Sequence, residues 1–430
     1  TCWGQAYFAP AFVYNSTPVN QSPNFLPLLQ TKPETGLDLS IRIRKRIRPN
    51  RASARWARYQ AKAEISFILP TEEDESPQDP KNVKQAITAA SGSKATFYYF
   101  VPPQRQHDPN PKELLTSQET LKKFYCGLSF GTCVIAPRGG PGFCKFQTIP
   151  FSAMSPDELQ GWEKLVCFFL DQTDFVAPVK NNGPLMGGWM WACGWWKGMK
   201  KEGFGQYCSV GRLAAMIKKS QYNDQDEAAA YQEANEWIAT HLQELAPLVF
   251  KEYCETLIKG NLPSMAHMEY PTPYNMFDFA SFFTFTMHNF FNGPHADTNA
   301  NTWTLLCWIP IFNPQKSNPD DPILADTGFD MIGGQFTFRD FQVYIDLNEV
   351  VGVTMCVFRS GTDTHQTLDG CSPSEKYTRI GFSCQMSEKM SNAVVAYIQS
   401  ATKVAGQKQQ IADAHNHIAK EKRKKISKMN

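Results

Sequence analysis

The chain has almost no net charge, no long apolar run, no clustered cysteines and no internal repeat, and each absence removes a class of protein. Its 43 Lys and Arg stand against 41 Asp and Glu, a formal charge of +2, so affinity for a polyanion has to come from local clusters rather than a global field. The longest apolar stretches, Val166–Leu170 and Phe282–Met287, fall far short of the ~20 residues a spanning helix needs. No membrane association is expected. Twelve cysteines run from Cys2 to Cys384 without one CxxC pair, which predicts reduced thiols used for packing in a cytosolic or nuclear protein. The sequence opens at Thr1 with neither a methionine nor a charged-then-apolar leader, so no targeting reading is taken from that end. A length of 430 residues allows one to three domains.

What is present is unevenly distributed. Residues 1–40 are rich in Pro, Asn and Gln, while Ile41–Lys62 carries nine Lys or Arg and no acid. Glu72–Glu75 with Pro77 and Pro80 reads as an acidic, turn-rich loop. Ser155, Pro156 and Glu158 write a capping box with proline at the first helical position, ahead of Leu159, Trp162, Val166 and Phe169. A second helix is expected over Asp226–Leu245, with Trp237, Ile238 and Leu242 at helical spacing and Pro247 just beyond. From Phe279 the texture turns to short β-rich runs at Phe283–Met287, Thr302–Phe312, Gly334–Phe338, Gln342–Leu347, Val353–Phe358 and Tyr377–Gln385. That spacing predicts an antiparallel sandwich or barrel. Ser387–Lys425 reads as helix, with Val394, Val395 and Ile398 early and a basic end.

Within the β-rich region, Gly293-Pro-His-Ala-Asp297 is followed by His365. Two imidazoles and one carboxylate on one face of an octahedral ion leave positions open for a bidentate keto acid and dioxygen. A His-x-Asp triplet carries little weight alone in a chain with eight histidines. Its setting adds the weight: a strand precedes it, a β-rich stretch follows, and His365 leads into the strand that bears Arg379. Period-two alternation in that strand puts Tyr377, Arg379, Gly381 and Ser383 on one face and Ile380 and Phe382 on the other. An inward arginine can pair bidentately with a carboxylate, and Gly381 beside it leaves room. The bland alternative makes His295 and His365 satisfied core histidines and pairs Arg379 with a protein acid.

These residues resemble the double-stranded β-helix oxygenases, and among them the TET/JBP nucleic-acid dioxygenases, especially the fungal members. The resemblance rests on the Pro-His-x-Asp turn, Gly333-Gly-Gln-Phe336, Gly352–Phe358 leading to His365, and the Arg379 strand, and it covers residues 279–386. The Gly- and Trp-rich block Gly187–Trp196, with Gly203 and Gly205, is similar more loosely to a glycine-rich segment upstream of the fungal barrel. The fold it implies is α+β, a double-stranded β-helix (jelly-roll) barrel braced by N-terminal and C-terminal helices. It also implies Fe(II) held by His295, Asp297 and His365, 2-oxoglutarate gripped by Arg379, and O2. The reaction would oxidise 5-methylcytosine to its hydroxymethyl, formyl and carboxyl forms in methylated double-stranded DNA in the nucleus, after the base is flipped out of the stack. The sequence departs from the family pattern in two respects. Ala300 stands where relatives often carry a base-contacting Asn or Asp, and Ser383 and Gln385 stand beyond Arg379 where relatives often carry a His. N-methylated adenine is therefore a second candidate substrate.

The expected organisation is an irregular, basic, DNA-contacting extension over 1–90, and a helical, Gly/Trp-rich support over 91–278. The catalytic core over 279–386 follows, then a helix with a basic tail over 387–430. Ile41–Arg48 with Arg51, Arg55, Trp56 and Arg58 could lie along phosphates, as an edge strand or a basic helix, or could be a solvated surface or localisation signal. Lys420–Lys425 is a weaker candidate of the same kind. The Trp block is expected in the core rather than stacking on a base, His288 as a core histidine, and His415 and His417 at the surface. Competing functions are an AlkB-like demethylase, another 2-oxoglutarate hydroxylase, and a catalytically silent DNA-binding module on the same scaffold.

Overall fold

The structure is a computed structural model. It describes residues 96–101, 121, 125–129, 131–137, 141–179, 186–196, 205–206, 216–217, 219, 222–317 and 321–399. The basic stretch Ile41–Lys62, the acidic loop, Gly203, His415, His417 and Lys420–Lys425 lie outside the described residues.

In chain order the strands before the first long helix are β1 (Thr96–Val101), β2 (Cys126–Leu128), β3 (Gly131–Pro137) and β4 (Cys144–Pro150). Helix α1 (Pro156–Phe175), strands β5 (Met186–Trp196) and β6 (Gly205–Gln206), and helices α2 (Asp224–Leu245) and α3 (Pro247–Lys259) follow. The β-rich part then supplies β7 (Phe282–Asn292), β8 (Thr304–Phe312), β9 (Ile332–Gly333), β10 (Phe336–Phe338), β11 (Val343–Ile345) and β12 (Gly352–Phe358). It closes with β13 (His365–Thr367), β14 (Gly370–Cys371) and β15 (Tyr377–Gln385), and residues 388–399 are helical.

A nine-stranded sheet runs in the order β1-β3-β4-β12-β8-β15-β7-β5-β6, and a four-stranded sheet in the order β13-β10-β11-β2. Pairing is antiparallel except for β1 with β3 and β11 with β2. This mixed architecture of helices and antiparallel sheets is consistent with a jelly-roll fold. Every β-rich run expected after residue 279 contains an observed strand.

Alternation gives the large sheet two apolar faces. Val353, Met355 and Val357 of β12, Leu305, Cys307 and Ile309 of β8, and Ile380 and Phe382 of β15 pack under the helices. The intervening Cys356, Phe358 and Trp308 pack against Phe336, Phe338, Val343 and Ile345 of the small sheet. On the helical side Phe169 of α1 meets the rings of Phe285 and Phe382, both at 5.1 Å, and Ile238 and Leu242 of α2 are fully buried. Each such side chain contributes ~1.5–3 kcal/mol by leaving water, far more than the propensity of any one helical residue.

The Ser155–Glu158 capping box forms as its sequence predicts. Helix α2 begins at Asp224, two residues before the expected start, because Asn223 Oδ1 caps it through the Gln225 N–H at 2.9 Å. Pro247 does more than end α2. It opens α3, whose core-facing Val249, Phe250, Tyr253 and Leu257 were not anticipated as a helix.

The larger difference lies upstream. The stretch 91–278, expected to supply helices and a Gly/Trp-rich support, also threads β1, β3, β4, β5 and β6 into the main sheet. Strand β3 is buried on both faces over Thr132–Ala136, so it carries no alternation to read. In β5 a bulge between Gly187 and Trp189 breaks the period, with Gly188 at φ +67 and its would-be Cβ 2.5 Å from the Phe290 backbone. Trp191 and Trp195 are buried as expected, whereas Trp189 is 47% exposed. His288 is half-buried at φ 59, its ring edge-on to Trp189 at 5.4 Å rather than in the core.

Candidate metal centre

Strand β7 ends at Asn292, and the Gly293–Pro294 turn delivers His295. Its backbone is stitched to His365 of β13 by two reciprocal N–H to carbonyl bonds of 3.0 Å, and the Asp297 N–H donates to Ser360 O at 2.8 Å. Residues seventy positions apart are thus held side by side by the backbone before any ligand is considered. The rings of His295 and His365 lie 4.4 Å apart.

Each imidazole is oriented by a carbonyl. His295 Nδ1 meets Gly293 O at 2.9 Å and His365 Nδ1 meets Asp363 O at 2.9 Å. A carbonyl can only accept, so the proton sits on Nδ1 and the Nε2 lone pairs are free to bind a metal. His365 is buried against Phe358 and Phe336. Burial, reinforced by His295 and partly offset by Asp297, pulls its pKa down to about 4, which keeps the ring neutral and ready to ligate at physiological pH.

Asp297 is the third donor. Its Oδ2 accepts from Gln385 Nε2 at 3.2 Å and lies 3.4 Å from Asn299 Nδ2, while Oδ1 sits 3.6 Å from His295 Nε2. One oxygen is occupied by amides and the other is turned toward the imidazoles. The donor atoms of His295, Asp297 and His365 all lie within 4.8 Å of one another, and no other such cluster of His, Cys, Asp or Glu occurs among the described residues.

Arg379 points where the alternation of β15 predicts, into a cavity of about 440 Å³ that His295, Asp297 and His365 also line. Its guanidinium is buried and held by protein acceptors: Nη1 donates to Gly334 O at 3.3 Å, and Nη2 to Leu347 O at 3.0 Å and Asn348 Oδ1 at 2.7 Å. Among the described residues no carboxylate forms an ion pair with it, and Nε is a buried donor without a partner. Burial lowers its pKa to about 10, against the opposing pull of Asp346. A buried cation with an unspent donor on the wall of a cavity is a receptor for an anion, and a carboxylate matches it best. Among the described residues, the ion pair with a protein acid that the bland alternative requires does not form.

The nitrogen and oxygen donors therefore fit a divalent ion of the Fe(II) type with open positions, and the unpartnered Arg379 Nε fits the distal carboxylate of a keto acid. Sequence reasoning found these four residues and named Gln385 for its place beyond Arg379, but not as a support of Asp297. Gln385 continues the 379, 381, 383 face of β15, so the alternation could have shown that it shares their cavity. Asn348 reaches Arg379 from the loop after β11, and no local pattern announces that.

Residues 155–370 match the family model described as the Tet-like 2OG-Fe(II) oxygenase superfamily, about half of the chain, and the span includes His295, Asp297 and His365. No curated protein matches. Among solved structures, a prolyl-4-hydroxylase from Pseudomonas putida is similar over 57% of this chain and 93% of its own, at 13% identity and a TM-score of 0.24.

Proposed function

The chain belongs to the Tet-like 2OG-Fe(II) oxygenase superfamily, using Fe(II), 2-oxoglutarate and O2, and from that premise we propose that it oxidises the methyl group of a modified base in double-stranded DNA. The preferred base in this reading is 5-methylcytosine, carried through hydroxymethyl, formyl and carboxyl forms, and the place of action is the nucleus. One observation supports the oxygenase chemistry on which this reading rests: three metal donors and an arginine with an unspent, buried donor share one cavity.

In this reading His295, Asp297 and His365 hold the metal and Arg379 holds the distal carboxylate of the co-substrate. When bound, Fe(II) with 2-oxoglutarate and O2 supplies the oxidising power, one oxygen atom leaving in succinate with release of CO2 and the other entering a substrate C–H bond. The chain itself binds and orients. The Nδ1 carbonyl bonds fix both imidazoles, and Gln385 and Asn299 hold one oxygen of Asp297 away from the imidazoles. Gly334 leaves space for the guanidinium, since a Cβ there would stand 2.9 Å from Arg379 Nη1. Apolar Phe336, Phe358 and Trp308 on the cavity wall limit water around the reacting groups. A base in a duplex reaches such a cavity only by leaving its stack.

The experiment is direct. The full chain is incubated with Fe(II), 2-oxoglutarate and duplexes carrying 5-methylcytosine or a methylated adenine, and the digested nucleosides are identified by mass spectrometry. Hydroxymethyl-, formyl- and carboxylcytosine support the proposal. Restoration of plain adenine with formaldehyde release from the methylated-adenine duplex indicates a demethylase, and DNA left unchanged with 2-oxoglutarate turnover intact refutes a base substrate.

A further inference from the structure

We infer that the buried ion pair of Arg359 and Asp363 is a positioning clip for the metal centre, setting Asp297 against His365 by holding the turn that supports both. This rests on the triad as the metal site and not on the identity of the oxidised base.

Strand β12 ends at Phe358 and β13 begins at His365, and the short connection between them touches two of the three metal donors. Ser360 O accepts the Asp297 N–H at 2.8 Å. The Ser360 hydroxyl lies 3.3 Å from Asn299 Nδ2, which also faces Asp297 Oδ2 at 3.4 Å. Three residues on, Asp363 O orients the His365 ring through Nδ1 at 2.9 Å. The placement of the two ligands therefore follows the shape of one turn. Across its base Arg359 Nε donates to Asp363 Oδ2 at 3.3 Å, alongside the Asp363 N–H to Arg359 O bond of 3.0 Å. The Thr362 hydroxyl adds a contact of 3.2 Å to Asp363 Oδ1. Both charged side chains are buried, at 8% and 1% exposure.

A buried ion pair is a poor stabiliser. Taking both charges out of water offsets most of their attraction, and an apolar pair of similar volume commonly folds as well or better. What the pair adds is direction. It closes the turn in one arrangement, so that the carbonyls of Ser360 and Asp363 present Asp297 and His365 to a common point. Three donors must share such a focus to occupy one face of an octahedral ion. Arg359 and Asp363 act through those carbonyls, as groups behind a metal ligand do when they fix its orientation.

The test titrates the metal-free full chain with Co(II), whose visible absorption reports coordination geometry as well as affinity, and measures the urea midpoint of the metal-free protein beside it. Arg359→Met combined with Asp363→Leu replaces the pair by apolar side chains of similar size. This double variant is expected to keep a urea midpoint close to wild type, weaken Co(II) binding about 10- to 100-fold and shift the visible band. Asp363→Glu keeps both charges, and with them the fold, but moves the carboxylate by one methylene. It should weaken Co(II) binding about tenfold, and it decides the matter if the double variant fails to fold. Wild-type Co(II) affinity and spectrum in either folded variant overturns the inference, as does a loss of affinity that only tracks a fall in the urea midpoint. His295→Ala is the control for the triad: if it binds Co(II) like the wild type, the metal assignment falls and the clip with it.

Discussion

Replacing Arg379 by lysine keeps the positive charge and removes the shape, so it tests whether the arginine acts as a fork. In the native protein Nη1 and Nη2 are already committed to Gly334 O, Leu347 O and Asn348 Oδ1, and Nε remains for a ligand. A lysine ammonium has one nitrogen to divide between these acceptors and an incoming carboxylate. Losing one charge-assisted hydrogen bond costs ~1.5–3 kcal/mol, which raises the KM for 2-oxoglutarate about 10- to 150-fold. The same substitution strands buried acceptors at a cost of ~1–3 kcal/mol, so the melting temperature falls but folding persists. The assay is succinate formation against 2-oxoglutarate concentration, with Fe(II) affinity measured separately. Arg379 makes no hydrogen bond to the triad, so metal affinity is expected to hold. A folded Arg379→Lys protein with a wild-type 2-oxoglutarate requirement would refute the assigned role.

Three further outcomes follow from the same geometry. His295→Ala and Asp297→Ala should each lower metal affinity by at least the ~10–100-fold that loss of a mere supporting residue costs and abolish succinate formation; turnover that survives either change rules out the triad. Gly334→Ala places a Cβ 2.9 Å from Arg379 Nη1 at φ +70, so it should cost ~1–3 kcal/mol of stability and raise the 2-oxoglutarate KM without weakening metal binding, and an unchanged KM counts against that contact. The native pKa of His365 is about 4 against an ordinary 6.5. As pH falls from 6.5 toward 4 the unfolded chain gains a proton that the native imidazole refuses, so the metal-free protein loses stability across that window. Urea midpoints at pH 7 and pH 5 should converge in His365→Asn relative to wild type, and equal slopes in the two proteins would contradict this.

The catalytic end of the fold was legible because its signals are local. Short β-rich runs marked β7, β8, β10, β11, β12 and β15 but not the two- and three-residue strands β9, β13 and β14, and the Pro-His-x-Asp turn, His365 and Arg379 sit at strand ends or on a strand face that alternation defines. The upstream half was not, for two physical reasons. Strand β3 is covered on both sides and shows no period, and β5 carries a bulge at Gly187–Trp189 that breaks one. Similarly, Asn348 holds Arg379 across 31 positions and Asn299 reaches Ser360 across 61, contacts that only the folded chain creates. The DNA-contacting reading of Ile41–Lys62 lies outside the described residues and stands as part of the proposal.

The aim of Arg379 is decided far from Arg379. In β15, Ile380, Phe382 and Cys384 bury themselves under α1 and its neighbours, while Arg379, Gly381, Ser383 and Gln385 take the cavity side. Register with β8 pairs Gly381 with Trp308 and Ser383 with Leu306, and register with β7 pairs the same residues with Thr286 and Thr284. A slip of one residue would turn the arginine into the helical core and three apolar side chains into the cavity. Burial of those three side chains at ~1.5–3 kcal/mol each therefore holds the guanidinium and the Gln385 amide on the metal side. Hydrogen bonds within the site, at ~1 kcal/mol each, need only refine an orientation that core packing has already chosen.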